Sequence, residues 1–117
     1  MFHVTNIGGR KEYIMTNVYL LGIENDSNGE LHLNTTLQFI LKVEYGVTDE
    51  IRFITGNLID DAGFIADRLQ KEPNAWLILI TDEKFIIFPP EKRDNEIEIL
   101  LKYSDEKASD VILSGKI

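Results

Sequence analysis

The sequence predicts an α+β fold: a mostly antiparallel, strongly twisted sheet of six to seven strands packed on one main helix, residues ~58–72. Three observations lead there. Several short segments are dense in β-branched and aromatic residues. Residues 31–45 alternate apolar and polar side chains with a period of two. A clear helical repeat appears in one place, where Leu58, Ala62, Ile65 and Leu69 recur at four, three and four residues. At 117 residues, with 44% hydrophobic and 27% charged side chains, the chain fits a single folded domain.

Residues 12–24 read as a strand. Both parities are largely apolar, so cover is expected on both faces. Asn28-Gly29 signals a hairpin turn, since both residues tolerate positive φ. In 31–45, Leu31, Leu33, Leu37, Phe39, Leu41, Val43 and Tyr45 take odd positions. His32, Asn34, Thr36, Gln38, Lys42 and Glu44 take even ones, so this reads as a long half-buried strand, bent near 34–36. Thr35 and Ile40 break the alternation.

A turn at 46–49 leads to a further strand, Ile51 to Thr55, ended by Gly56-Asn57. Asn57 is placed to cap the helix that follows, and Asp60 and Asp61 complement its dipole. Gly63 costs that helix about 1 kcal/mol relative to Ala, and Pro73 stops it. Residues 75–80 read as a buried strand, 81–84 as a tight connection and 85–88 as the returning strand, ended by Pro89-Pro90. Ile97, Ile99, Leu101 and Tyr103 alternate with polar residues and read as a half-exposed strand. Residues 110–113 fit a short strand or a helical turn. The alternative architecture is a half-barrel wrapped around the helix.

The stretch from Trp76 to Phe88, with its turn Thr81-Asp82-Glu83-Lys84, resembles the central hairpin of small bacterial pleckstrin-homology-like domains. The resemblance covers 13 residues, about a ninth of the chain, and the helix precedes the hairpin here, whereas that fold normally ends with its helix.

Charge narrows the function classes. Twelve Lys and Arg face twenty Asp and Glu, a net charge of −8. Such a surface disfavours direct nucleic-acid binding and polybasic membrane contact. Cysteine is absent, which excludes disulfides, thiol catalysis and cysteine-held metals. His3 and His32 lack a second histidine at metal-ligand spacing. The acid pairs Asp49-Glu50, Asp60-Asp61 and Asp82-Glu83 match no cation loop; capping accounts for Asp60-Asp61, and a hairpin tip for Asp82-Glu83. Gly8-Gly9-Arg10-Lys11 lacks the spacing of a phosphate-binding loop. No catalytic residue, metal or cofactor is expected. No signal peptide or membrane span is apparent, so a cytoplasmic location is expected.

Residues 21–61 hold Glu24, Asp26, Glu30, Glu44, Asp49, Glu50, Asp60 and Asp61 against Lys42 and Arg52. These eight acids are the candidate partner-binding residues. The expected function is a small non-enzymatic inhibitor or interaction protein, similar in size and charge to toxin-immunity and phage anti-defence proteins. It would bind and occlude a basic partner, such as a nuclease toxin or defence effector. Homodimerisation through a sheet edge is a rival use of the same surface. The alternative function is a small-ligand module, with a pocket between sheet and helix lined by Trp76, Phe64, Phe39 and tyrosines. An enzyme built on Asp60, Asp61, Asp82 and Glu83 would require those acids to converge in a cleft.

Overall fold

The structure is a computed structural model that describes residues 4–7, 10–23, 30–81 and 84–113. Its centre is a four-stranded mixed sheet covered by helices on both faces. A hairpin of β1 (Val4–Ile7) and β2 (Arg10–Tyr13) forms a separate two-stranded sheet. Then follow β3 (Met15–Gly22), α1 (Glu30–Val43), β4 (Glu50–Asn57), α2 (Leu58–Lys71), β5 (Trp76–Ile80), β6 (Phe85–Phe88), a 3-10 turn at Pro90–Lys92 and α3 (Asp94–Leu113).

Spatial order in the main sheet is β4-β3-β5-β6. β3 runs parallel to β4 and to β5, and β5 runs antiparallel to β6. The expected antiparallel sheet of six to seven strands on one helix is therefore incorrect, as is the half-barrel. The chain makes two strand–helix–strand crossovers, and parallel neighbours require such connections. The first moves from β3 to β4; the second crosses back over β3 to reach β5. Because parallel crossovers share one hand, opposite directions put their helices on opposite faces.

Packing agrees. Val18, Leu20, Trp76 and Ile78 face Leu37 and Leu41 of α1. Tyr19, Leu21 and Leu77 face Ala62, Ile65, Ala66 and Leu69 of α2 and Ile97 and Leu100 of α3. This double cover is why β3 is apolar on both parities. The pleckstrin-homology-like resemblance ends at the β5–β6 hairpin, because β5 pairs parallel with β3 in an open sheet.

Two segments expected to be strands are helices. In α1, Leu37 and Leu41 are fully buried one turn apart, whereas Phe39 and Val43 are 65% and 64% exposed. A strand would have put all four on one face. In α3, Ile97 and Leu100 are buried and Ile99 is 55% exposed, so the spacing of burial is three rather than two. Residues 110–113 close α3. Past the end of α1, Gly46 turns the chain at φ 71°, and Val47 N donates back to Leu41 O in the last turn of the helix at 3.0 Å. The hairpin expected at Asn28-Gly29, along with Gly8-Gly9 and Asp82-Glu83, lies outside the described residues.

α2 starts as its residues dictate. Asn57 is extended, its Oδ1 accepts from Asp60 N at 2.8 Å, and Asp61 Oδ2 accepts from Asn57 N at 2.9 Å. Gly63 has a packing reason: a Cβ there would lie 2.6 Å from Ser104 Oγ, so the glycine admits α3 close to α2. None of the described helices is long and apolar enough to cross a membrane.

Candidate functional site

β4 is the long free edge of the sheet. It hydrogen-bonds to β3 on one side, and no other described strand pairs with it. The opposite edge, β6, is four residues long and runs into Pro89-Pro90, two features that blunt an edge. β4 spans eight residues and is uninterrupted by proline. Its Ile51 and Phe53 pack beside α1, and Ile54 packs towards α2.

The candidate acids flank this edge. Glu44 is exposed just past α1, and Glu50 is exposed at the first position of β4. Asp49 is half-buried and accepts from Thr16 Oγ1 at 3.0 Å. Asp60 and Asp61 sit beyond the other end, in the first turn of α2. Seven strand steps separate Glu50 from Asn57, roughly 23 Å. The acids thus form two groups, one at each end of β4, and not one continuous cluster. Glu30 opens α1, while Glu24 and Asp26 lie outside the described residues.

Asp61 is committed to the cap, whereas Asp60 is exposed. The two ion pairs among the described residues, Arg68–Glu72 at 3.1 Å and Lys71–Asp67 at 3.0 Å, use none of the nominated acids. Of the nominated acids, Glu44, Glu50 and Asp60 are exposed and stand outside both pairs. Arg52, exposed near the start of β4, interrupts the acidic edge.

The aromatic residues nominated for a ligand pocket do not converge. Trp76 is buried on the α1 side, where Tyr45 meets it edge-on at 5.3 Å between ring centroids. Phe39 is exposed on α1 and Phe64 on α2, the helices that cover opposite faces of the sheet. Among the described residues, no three acids or histidines gather at a spacing that could hold a metal ion.

A second polar cluster escapes sequence reasoning. Glu72, just past α2, accepts from Asn17 Nδ2 at 2.6 Å and from the Tyr19 hydroxyl, and pairs with Arg68. Parallel pairing sets Arg52 beside Asn17, within electrostatic reach of Glu72. Burial acts to raise the Glu72 pKa, but the Tyr19 and Asn17 donors and the Arg68 and Arg52 charges outweigh it and hold the carboxyl below its ordinary range. Burial and the Glu72 contact raise the Tyr19 phenol above its usual value, against the opposing pull of Arg68. Arg68 and Glu72 stand at the i, i+4 spacing of a helix pair, but Asn17 and Tyr19 lie 55 and 53 residues from Glu72 along the chain, so no spacing rule reveals them.

Comparison of the chain with protein-family models, curated proteins and solved structures finds no match in any of the three.

Proposed function

We propose that the protein is a non-enzymatic interaction module of the inhibitor type, which takes an extended basic segment of a partner protein along the free edge of β4 and so occludes it. The observation that supports this is the pairing of an open eight-residue strand edge with carboxylates free of ion pairs at both its ends. Backbone pairing along the edge supplies affinity without regard to sequence. The terminal acids supply selection for cations, and Arg52 disfavours a cation opposite the early part of the strand.

The test is a titration of 15N-labelled protein with two peptides of about ten residues and equal charge. One carries lysines at both ends of a Val-Thr core; the other carries them in the middle. The first should shift the amides of residues 50–57 and bind at least ~10-fold more weakly at 500 mM than at 50 mM salt. Glu50→Lys with Asp60→Lys should abolish the preference. Equal binding of both peptides, salt-insensitive binding, or shifts confined to another face would each overturn the reading.

A further inference from the structure

The free edge of β4 has two unlike sides. Ile51 and Phe53 belong to the side that α1 covers, and Ile54 to the side that α2 covers. Side chains alternate along a strand, so Glu50 and Arg52 share the α2 side with Ile54. On the α1 side, Leu37 and Leu41 sit over Val18 and Leu20 of β3 and Trp76 and Ile78 of β5, all of them buried. Ile51 and Phe53 lie at the margin of that cluster and are covered only in part. On the α2 side, Glu50 and Arg52 are exposed, opposite in sign, and outside both ion pairs of the described residues.

Residues facing each other across an antiparallel pair point to the same side of the sheet, so each residue of β4 selects the chemistry opposite it. Opposite Ile51 and Phe53, an apolar side chain extends the core outward and completes their cover. Opposite Glu50 a cation is favoured, and opposite Arg52 a carboxylate, since like charges directly across a strand pair are destabilising. Order matters as well as composition. Glu50 precedes Arg52, and an antiparallel strand is read in reverse, so its acid comes before its base.

From this geometry we infer that the occupant of the β4 edge is a two-faced strand of the partner protein, running antiparallel, whose sequence reads apolar–acidic–apolar–basic opposite Phe53, Arg52, Ile51 and Glu50. The inference rests on the reading of β4 as the binding edge and adds what its occupant must be: apolar on the α1 side, charged on the α2 side, with one acid set among its basic residues. Antiparallel pairing is the more stable arrangement per residue. Glu50 and Arg52 are the specificity-determining residues, because they fix the register. A slip of two residues brings the partner's cation against Arg52, and a slip of one turns its apolar side chains to the charged face.

The experiment titrates 15N-labelled protein with three lysine-flanked peptides of one composition and one net charge. The first holds Val-Glu-Val-Lys at its centre, the second Val-Lys-Val-Glu and the third Glu-Lys-Val-Val. The first should bind about 5-fold more tightly than the second, which meets each charge with its like unless it runs in the less stable parallel direction. The third, with one charge on each side, should bind more weakly than the first. A spin label on the C-terminus of the first peptide should broaden the amide of Glu50 more than that of Asn57. Glu50→Arg combined with Arg52→Glu keeps the net charge and alters two exposed positions, and it should invert the order of the first two peptides. Arg52→Gln alone should narrow the difference between them. A double variant that keeps the parent's order, or broadening strongest at Asn57, would overturn the inference. Equal shifts of residues 50–57 by all three peptides would overturn it too, while leaving β4 as the binding edge. No shifts in those residues would remove the edge itself, and this inference with it.

Discussion

The Tyr19 hydroxyl donates to Glu72 Oε2, joining the middle of the central strand to the residue that ends α2. Tyr19 is fully buried, so its hydroxyl has no water to fall back on. Hydrogen bonds to a charged acceptor contribute about 1.5–3 kcal/mol. Tyr19→Phe keeps the ring and removes the donor, while Asn17 and Arg68 continue to hold the carboxylate. A loss of about 1–2 kcal/mol is expected, read as a lower urea midpoint at unchanged slope. An unchanged midpoint would mean the contact contributes nothing.

The same contact imposes a pH signature. Glu72 has a lower pKa folded than unfolded, so its contribution is complete above the unfolded value and disappears as pH falls through the folded one. Tyr19 is shifted upward, so its contribution is complete below about pH 10 and disappears as pH rises through the folded value. Glu72→Gln should therefore flatten the acid limb of stability against pH, and Tyr19→Phe the alkaline limb. Urea melts from pH 3 to pH 11 would show this. Parallel curves for parent and variants would refute it.

Gly56 lies where β4 runs into α2. A Cβ there would stand 2.7 Å from Ile65 Cδ1 and 3.0 Å from both Asp61 Cβ and Asp61 Oδ2. Ile65 can swing its terminal methyl away; Asp61 cannot move without releasing the Asn57 amide it holds. Gly56→Ala should cost about 1–3 kcal/mol. Asn57→Ala, which loses the other half of the cap, should cost about 1 kcal/mol. Because both act on one cap, the double variant should cost less than their sum. Additive losses in chemical denaturation would show the two positions to be independent.

Gly63 poses a balance of opposite terms. Alanine improves helix propensity by about 1 kcal/mol, but its methyl must push Ser104 Oγ aside and sits 3.3 Å from Ser104 Cβ. The hydroxyl rotates readily, so Gly63→Ala should be close to neutral, within about 1 kcal/mol. Gly63→Leu cannot be accommodated by rotation and should cost about 1–3 kcal/mol. Ser104→Gly in the Gly63→Ala background should then reveal a stabilising alanine at position 63. Thermal melts of the four proteins would check this, and a harmless leucine would show that α3 does not pack where the structure places it.

Much of this architecture is legible in the residues. Asn57, Asp60 and Asp61 announce the start of α2, and β3, β4, β5 and β6 stand within a few residues of where their β-branched runs put them. The doubly apolar pattern of residues 12–24 also called for cover on both faces, which α1 on one side and α2 with α3 on the other supply over β3. What misled was a coincidence of periods. Leu37 and Leu41 satisfy both a two-residue and a four-residue repeat, and Thr35, Thr36, Phe39 and Val43 favour strands by propensity. Ile40 and Leu100, which break the alternation, were the diagnostic residues, because with Leu37, Leu41, Ile97 and Leu101 they trace helical stripes. The Glu72 cluster was illegible for a different reason. It exists through strand register and the return of α2, both tertiary outcomes that leave no local pattern.

That coincidence can be resolved at the bench with four alanine substitutions. In a strand through residues 31–45, Leu37, Phe39, Leu41 and Val43 share one face, so truncating any of them would open the core. In α1, Leu37 and Leu41 lie against Val18, Leu20 and Ile78, and Phe39 and Val43 face solvent. Leu37→Ala and Leu41→Ala should each cost about 2–5 kcal/mol through lost burial and the cavity left behind. Phe39→Ala and Val43→Ala should fall within about 0.5 kcal/mol of the parent. Alanine is also the better helix former, so Val43→Ala should be slightly stabilising in a helix and destabilising in a strand. Four similar losses in urea denaturation would reinstate the strand and, with it, an antiparallel sheet; two large losses beside two small changes require the helix, and with it the crossover that makes β3 and β4 parallel.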